Sequence, residues 1–331
     1  MSTHFKQCAF WKTLFTPDRY SHELIPDQTG KVAIVTGANT GLGYASMVAL
    51  AGHGAHVFLA CRSKERALAA IEKAKLEIKE TFPHAPAPKL DFLELDLNDM
   101  NKCKKAAKEF LAKGLPLHIL INNSGIMYTP FELSADGIET QFAVNHMGHF
   151  VFTMALLDRI KESQPARIVV LSSAAHDLMA PKDGINFDFL DIEGKTTPMN
   201  RYGRSKLANV LFANALARRL ADTEVYVNSL HPGAVSTELN RTAAATNSMG
   251  SVYTFVSEKI LIPYMAMSPK RGALTQLYLA TSPEVENKDI RGRYFIPIAN
   301  EIQPSRFGTN KELQDKLWEY SEKLMREKVR E

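Results

Sequence analysis

Short runs of apolar, often β-branched residues alternate along the chain with longer stretches whose apolar positions recur every three to four residues. The runs predict strands at Val32–Thr36, His56–Ala60, Asp91–Leu95, His118–Asn122, Arg167–Leu171, Val225–Leu230 and Arg293–Pro297. Most lack strict in–out alternation, as strands of a parallel sheet covered on both faces do. The helical spacing predicts helices near 42–53, 64–80, 99–113, 135–162, 203–221 and 270–281. Strand and helix in turn imply an α/β fold: one doubly wound, mostly parallel, seven-stranded sheet with helices on both faces. Residues 30–300 form this single domain, after an N-terminal extension, 1–29. A C-terminal tail, 301–331, follows, in which Leu313, Leu317, Tyr320 and Leu324 space out as an amphipathic helix.

Two segments break the rhythm, 174–201 and 238–268. Both follow predicted strand ends, the edge at which an open α/β sheet takes its ligand, and unpatterned loops of this length are usually functional. They are expected to cover a substrate site. Phe187, Phe189, Tyr253, Phe255 and Tyr264 within them favour a small lipophilic or aromatic substrate.

The first strand ends in T-G-A-N-T-G-L-G, with glycines at 37, 41 and 43, and a helix pattern follows. Glycine turns let the backbone approach a phosphate closely, and a helix N-terminus offers unpaired N–H groups and positive dipole. Strand, glycine turn and helix together predict a pyrophosphate cradle in a Rossmann-type domain. The spacing G-x-x-x-G-x-G differs from the common dinucleotide fingerprint. At the end of the second strand, where an NAD-preferring site places an acid for the ribose 2′-OH, the chain reads Ala60-Cys61-Arg62. An arginine there can pair with a 2′-phosphate, so Arg62 points to NADP(H), with Lys64 in support. Asp96, after the third strand, either accepts from an adenine amino group or caps the next helix. Asn122 and Asn123 end the fourth strand and either tie strand ends together or approach a ligand.

Composition removes other classes. The chain of 331 residues has 40 basic and 36 acidic residues, net charge +4, and 45% apolar residues. The basic residues are dispersed, so no nucleic-acid partner is expected. Cys8, Cys61 and Cys103 form neither a disulfide framework nor a metal site and fit a reducing compartment. His146, His149, His176 and His231 lack metal-ligand spacing and are expected in core or supporting roles, with no metal required. No secretory signal is visible, and the stretch 252–267 is broken by Glu258, Lys259 and Pro263, so no integral membrane segment is expected. A cytoplasmic location follows as the default. Peripheral membrane association is the competing use of 252–267 and of Phe5, Phe10, Trp11, Leu14 and Phe15.

Tyr202 and Lys206 lie four apart, on one face of a helix. A nearby ammonium favours the phenolate and so lowers a phenol's pKa toward a useful range. The strand before this helix ends in Leu171-Ser172-Ser173, which puts hydroxyls at the ligand edge. Taken in order, Thr36-Gly37-x-x-x-Gly41-x-Gly43, Asp96, Asn122-Asn123-x-Gly125, Asn145, Ser173, Tyr202-x-x-x-Lys206 and Pro232-Gly233 resemble the short-chain dehydrogenases/reductases over about residues 30–300. Asn186-Phe187-Asp188, the long insertion before Tyr202, and the run Ser205 to Phe212 look like the retinol dehydrogenase-like branch. The dehydrogenase part of WW-domain-containing oxidoreductases is also similar, although no WW domain is present.

The resemblance implies a hydride-transferring enzyme that interconverts a carbonyl and its alcohol with NADP(H), with the direction weighted toward reduction. Tyr202 would be the general acid of reduction, and Lys206 would hold the nicotinamide ribose and depress the phenol. Ser173, the second serine of its pair, would stabilise the substrate oxygen. Asn145 would support a water chain to Lys206, and Thr237 would contact the carboxamide. Asn39, Thr40, Leu42, Leu97, Asn123, Pro232, Gly233 and Val235 would complete the cofactor site. Homodimer or tetramer assembly through the helices near 135–162 and 203–221 is implied as well. Ser124 replaces the usual alanine, and Thr40 stands where some NADP-type members carry a basic residue. The open alternatives are a non-catalytic NADP-binding regulator, a membrane-surface scaffold or retinoid/steroid-type dehydrogenase, and an epimerase or dehydratase.

Overall fold

The alternating runs fold into one twisted sheet with the strand order β3-β2-β1-β4-β5-β6-β7-β8. The structure is a computed structural model and describes residues 16–235 and 266–330. In chain order the main elements are β1 (Val32–Thr36), α1 (Gly41–Gly52), β2 (His56–Cys61), α2 (Lys64–Thr81), β3 (Lys89–Glu94) and α3 (Met100–Leu111). They continue with β4 (Ile119–Asn122), α4 (Gly148–Glu162), β5 (Ala166–Leu171), α5 (Pro198–Arg219) and β6 (Val225–Leu230). The chain then adds α6 (Leu274–Thr281), β7 (Tyr294–Ile296), β8 (Asn300–Ile302) and α7 (Lys311–Lys328).

Strands β1 to β7 pair in parallel, and every residue of β1, β4, β5 and β6 is buried. Because side chains alternate across a strand, Val32 and Ile34 join one apolar core with Phe58 and Ala60. Ala33 and Val35 join the other, with Val57 and Leu59. The first core includes α3, α4, α5 and α7; the second includes α1, α2 and α6. The chain reverses direction across the sheet between β1 and β4, the place where an open α/β sheet leaves a crevice for ligand.

The sheet has eight strands, not seven. β8 runs antiparallel to β7, and the hairpin between them turns at Ala299, whose φ is +56°. Such a turn ordinarily announces itself with glycine or asparagine at that position, and three residues are too few to show a pattern. Other departures are of boundary. The helix expected at 135–162 is three joined pieces, Thr140–Phe142, a π turn at Ala143–Met147 and α4. α5 begins at Pro198 because Thr197 caps it, its hydroxyl accepting from the Asn200 N–H. The 238–268 cover lies almost wholly outside the described residues, as do Thr237 and the N-terminal aromatics from Phe5 to Phe15. Among the described residues no helix is long and apolar enough to cross a membrane, and no cluster of side chains could hold a metal ion.

Candidate active site

The glycine turn is built as the spacing requires. Gly37 and Gly41 have φ of +66° and +57°, and a Cβ on Gly43 would lie 2.4 Å from the Gly37 carbonyl oxygen. Helices α2, α3, α5 and α7 are each capped by a side chain, from Ser63, Asp99, Thr197 and Asn310. Thr40, at the N-cap of α1, makes no such bond, so the first N–H groups of α1 face the crevice without a side-chain cap. That is the donor set a pyrophosphate needs, and these residues fit one.

Around the turn, Thr36 is a hub. Its hydroxyl accepts from the Asn123 and Ser124 N–H groups, both at 2.9 Å, and its carbonyl accepts from Asn123 Nδ2 at 2.8 Å. Asn123 therefore ties β1 to β4. The buried Cys61 thiol, pushed up by burial, rests against the Asn39, Ala38 and Gly37 amides. Next to it the Arg62 side chain is exposed, at the rim of the turn. Asp96 accepts from Asn98 N–H at 3.2 Å and pairs with Lys102 Nζ at 3.1 Å, while the cap of α3 is Asp99. Leu97 is buried in the core, and Pro232, Gly233 and Val235 lead from β6 into a bridge with Met267.

The structure brings Ser173, Tyr202, Lys206 and Asn145 together. Tyr202 and Lys206 project from α5 and are each 5% exposed. The phenol faces the Ser173 hydroxyl. Lys206 Nζ lies 5.8 Å from the Tyr202 ring centre and 3.4 Å from the Leu171 carbonyl oxygen. Ser172 is used otherwise: its hydroxyl donates to the Lys206 carbonyl at 2.7 Å and pins α5 to β5. Asn145 sits in the π turn. Its amide accepts from the Ile126 N–H (2.8 Å) and donates to the Ile126 carbonyl (3.0 Å) and to Ser205 Oγ (2.9 Å). A Cβ on Gly125 would lie 3.1 Å from Asn145 Oδ1 and 3.2 Å from Lys206 Nζ, so glycine leaves room for both.

One electrostatic expectation changes. Burial pushes the Tyr202 phenol up to about 12, with only the Ser173 hydroxyl working downward. Burial also pushes Lys206 down to about 8. Desolvation of both groups thus outweighs the depression of the phenol expected from a neighbouring ammonium.

These are the parts of a known catalytic fold, and the comparisons agree. The short chain dehydrogenase family model matches residues 31–183 and 194–248. The chain belongs to the short chain dehydrogenase family. An uncharacterized oxidoreductase of Schizosaccharomyces pombe is 41% identical over 296 residues, 86% of this chain and 82% of that protein. Human retinol dehydrogenase 14 is 39% identical over 303 residues, 89% of this chain and 86% of that protein, which places the chain on the retinol dehydrogenase-like branch. A crystal structure of an uncharacterized Mycobacterium paratuberculosis protein superposes with TM-score 0.69 at 29% identity, covering 93% of this chain and 97% of that one. Members of this family bind NAD(P), and this one is an oxidoreductase with a nucleotide-binding Rossmann fold.

Two features escaped the motifs. Met127, Tyr128, Met179 and Met199 pack around Tyr202, with the Tyr128 and Tyr202 rings edge to face at 5.4 Å. Met127 and Tyr128 directly follow the N-N-S-G-I run, the one signal that could have found them. The 174–201 segment supplies Met179 to this wall. It also encloses a cleft of about 520 Å³ lined by Leu178, Phe189, Asn200 and Arg204. Asn200 and Arg204 share a face of α5 turned away from Tyr202, so that cleft is separate from the phenol.

The second is a buried charge cluster that anchors the same segment. Glu139, fully buried, accepts from the Gln141 and Phe142 N–H groups and faces Arg201 Nε at 3.3 Å. Its own N–H donates to Asp191, and Arg204 donates to the Leu190 carbonyl. Removing one charge from such a cluster strands the others. Glu139→Gln is therefore expected to cost about 3–5 kcal/mol in chemical denaturation. A cost no larger than that of an exposed ion pair would contradict this reading.

Proposed function

We propose that the protein is an NADP(H)-dependent reductase of small lipophilic or aromatic carbonyl compounds, running in reverse as an alcohol dehydrogenase. The observation that carries this reading is the Tyr202 phenol, facing Ser173 and walled by Met127, Tyr128, Met179 and Met199 beside the buried Lys206. Gly37, Asn39, Thr40, Gly41, Leu42 and Gly43 would hold the pyrophosphate and Arg62 the 2′-phosphate. Asp96, Leu97 and Asn123 would line the adenosine side, and Pro232, Gly233, Val235 and Thr237 the nicotinamide side. When bound, the nicotinamide supplies or accepts the hydride.

The chain's own work is on the proton. With its pKa near 12, Tyr202 holds its proton at neutral pH and can donate it from Oη as a carbonyl oxygen gains charge. Ser173 Oγ, aimed at the same oxygen, would stabilise that charge. The loaded acid favours reduction, as does the reduced state in which cells keep NADP. Asn145 holds the Gly125–Ile126 loop against Lys206 and is read as the support of the water chain that reloads Tyr202.

Two tests follow. Purified protein is offered decanal, acetophenone, menadione and all-trans-retinal with NADPH or NADH; consumption of NADPH with at least one carbonyl is expected. Binding of NADPH without consumption on any carbonyl would leave a dinucleotide-binding regulator instead. Arg62→Asp is expected to weaken NADPH by about tenfold or more while leaving NADH nearly unchanged; an unaltered ratio would remove Arg62 from the site. In kcat/KM, reduction is expected to be level below about pH 8 and to fall above it as Lys206 loses its proton.

A further inference from the structure

Two buried histidines outside the reacting set have their tautomers dictated by their neighbours. Thr36 Oγ1 accepts from two backbone N–H groups, Asn123 and Ser124, which occupies both of its lone pairs. Its hydroxyl proton is left for His149 Nε2, 2.9 Å away. Nε2 is therefore an acceptor, and the ring proton sits on Nδ1, which lies 3.2 Å from the Asn145 carbonyl oxygen. At His176 the Ser305 N–H donates to Nε2 at 3.1 Å, so the proton again sits on Nδ1. That nitrogen lies 2.7 Å from the Ser173 carbonyl oxygen, with the Tyr294 hydroxyl at 3.3 Å. Both rings are buried, and burial disfavours their charged forms.

We propose that His149 and His176 are positioning residues of the reaction: neutral Nδ1–H imidazoles that grip the main-chain carbonyls of Asn145 and Ser173 respectively. The proposal rests on the reading of Asn145 and Ser173 as members of the reacting set. Each ring is held at its far nitrogen by a remote element, β1 for His149 and the Ser305 turn for His176. His149 joins the glycine-turn hub to Asn145, and through Asn145 to Ser205, whose hydroxyl donates to the Tyr202 carbonyl at 2.8 Å. His176 fixes the backbone beneath the hydroxyl that meets Tyr202. A shift of about 1 Å in such groups is enough to cost on the order of 100-fold in turnover.

Asparagine and glutamine separate positioning from mere packing, because an Asn amide reaches the Nδ1 position and a Gln amide the Nε2 position. With decanal and NADPH, His149→Gln is expected to lower kcat by about 10- to 100-fold with KM little changed, while His149→Asn recovers most of it. The same order is expected for His176→Gln and His176→Asn, with similar melting temperatures within each pair. Equal kcat within a pair, or kcat losses that only track melting temperature, would overturn the proposal. Nitrogen-15 spectra of the histidine rings read the tautomers without any substrate. An Nε2–H ring at either position would overturn it whatever the activity, whereas a wild-type protein silent on every carbonyl overturns the proposed function alone.

Discussion

Tyr202→Phe is expected to lower carbonyl reduction by about 10²- to 10⁴-fold while NADPH binds nearly as before. The substitution removes one oxygen, a nearly buried group that holds a dissociable proton and faces the Ser173 hydroxyl. The ring keeps its edge-to-face contact with Tyr128 and its place among Met127, Met179 and Met199, so the wall survives. The cofactor cradle lies on β1 and α1, away from the lost hydroxyl. A variant that turns over normally would remove Tyr202 as the acid. Joint loss of turnover and of NADPH affinity would mean that the phenol organises the cofactor site instead.

Mild acid is expected to destabilise the protein. Burial pushes His146, His149 and His231 down to about 3 and lowers His176 as well. In the unfolded chain each titrates at about 6.5. Below that pH the unfolded chain takes up protons that the native rings refuse, so stability is complete above about 6.5 and falls with pH below it. Each histidine contributes about 1.4 kcal/mol per pH unit, so the three with the lowest values remove about 6 kcal/mol by pH 5. Native domains have about 5–15 kcal/mol in all, so a loss of that size takes a large share of the total. Burial raises the Glu139, Asp136 and Asp191 carboxyls, which protonate more readily in the native state and offset part of the loss at the low end. Melting temperatures at pH 7.5, 6.5 and 5.5 check this, with a steep fall expected only across the lower interval. A flat profile would mean that the histidines reach solvent.

The same physics decides which parts of the molecule were legible in its sequence. The apolar run Val32–Val35 marks a central parallel strand because burial on both faces favours apolar residues at successive positions, and β1 and β6 have the expected bounds although β6 buries Asn228 and Ser229. The glycine turn is legible because positive φ and close approach select glycine, and Gly37, Gly41 and Gly43 stand where those demands fall. Tyr202 and Lys206 share a helix face by spacing alone. β8 is hidden because its turn uses Ala299, and the π turn has no compositional mark. Whether Asp96 caps α3 needed coordinates: the cap is Asp99, and Asp96 accepts from the Asn98 N–H instead. The histidine tautomers depend on partners 113 and 129 residues away, Thr36 and Ser305. The phenol's high pKa likewise comes from burial by several elements, which four-residue spacing does not report.

In the proposed reaction this site moves a hydride between NADPH and a carbonyl carbon while Tyr202 supplies the proton. The most direct measurement gives the protein NADPH deuterated at the transferable nicotinamide position together with the carbonyl panel, and reads the products by mass spectrometry. An alcohol carrying deuterium on the former carbonyl carbon is expected from the wild-type protein, and almost none from Tyr202→Phe. An unlabelled alcohol, no alcohol from any carbonyl, or equal label from the variant would contradict it.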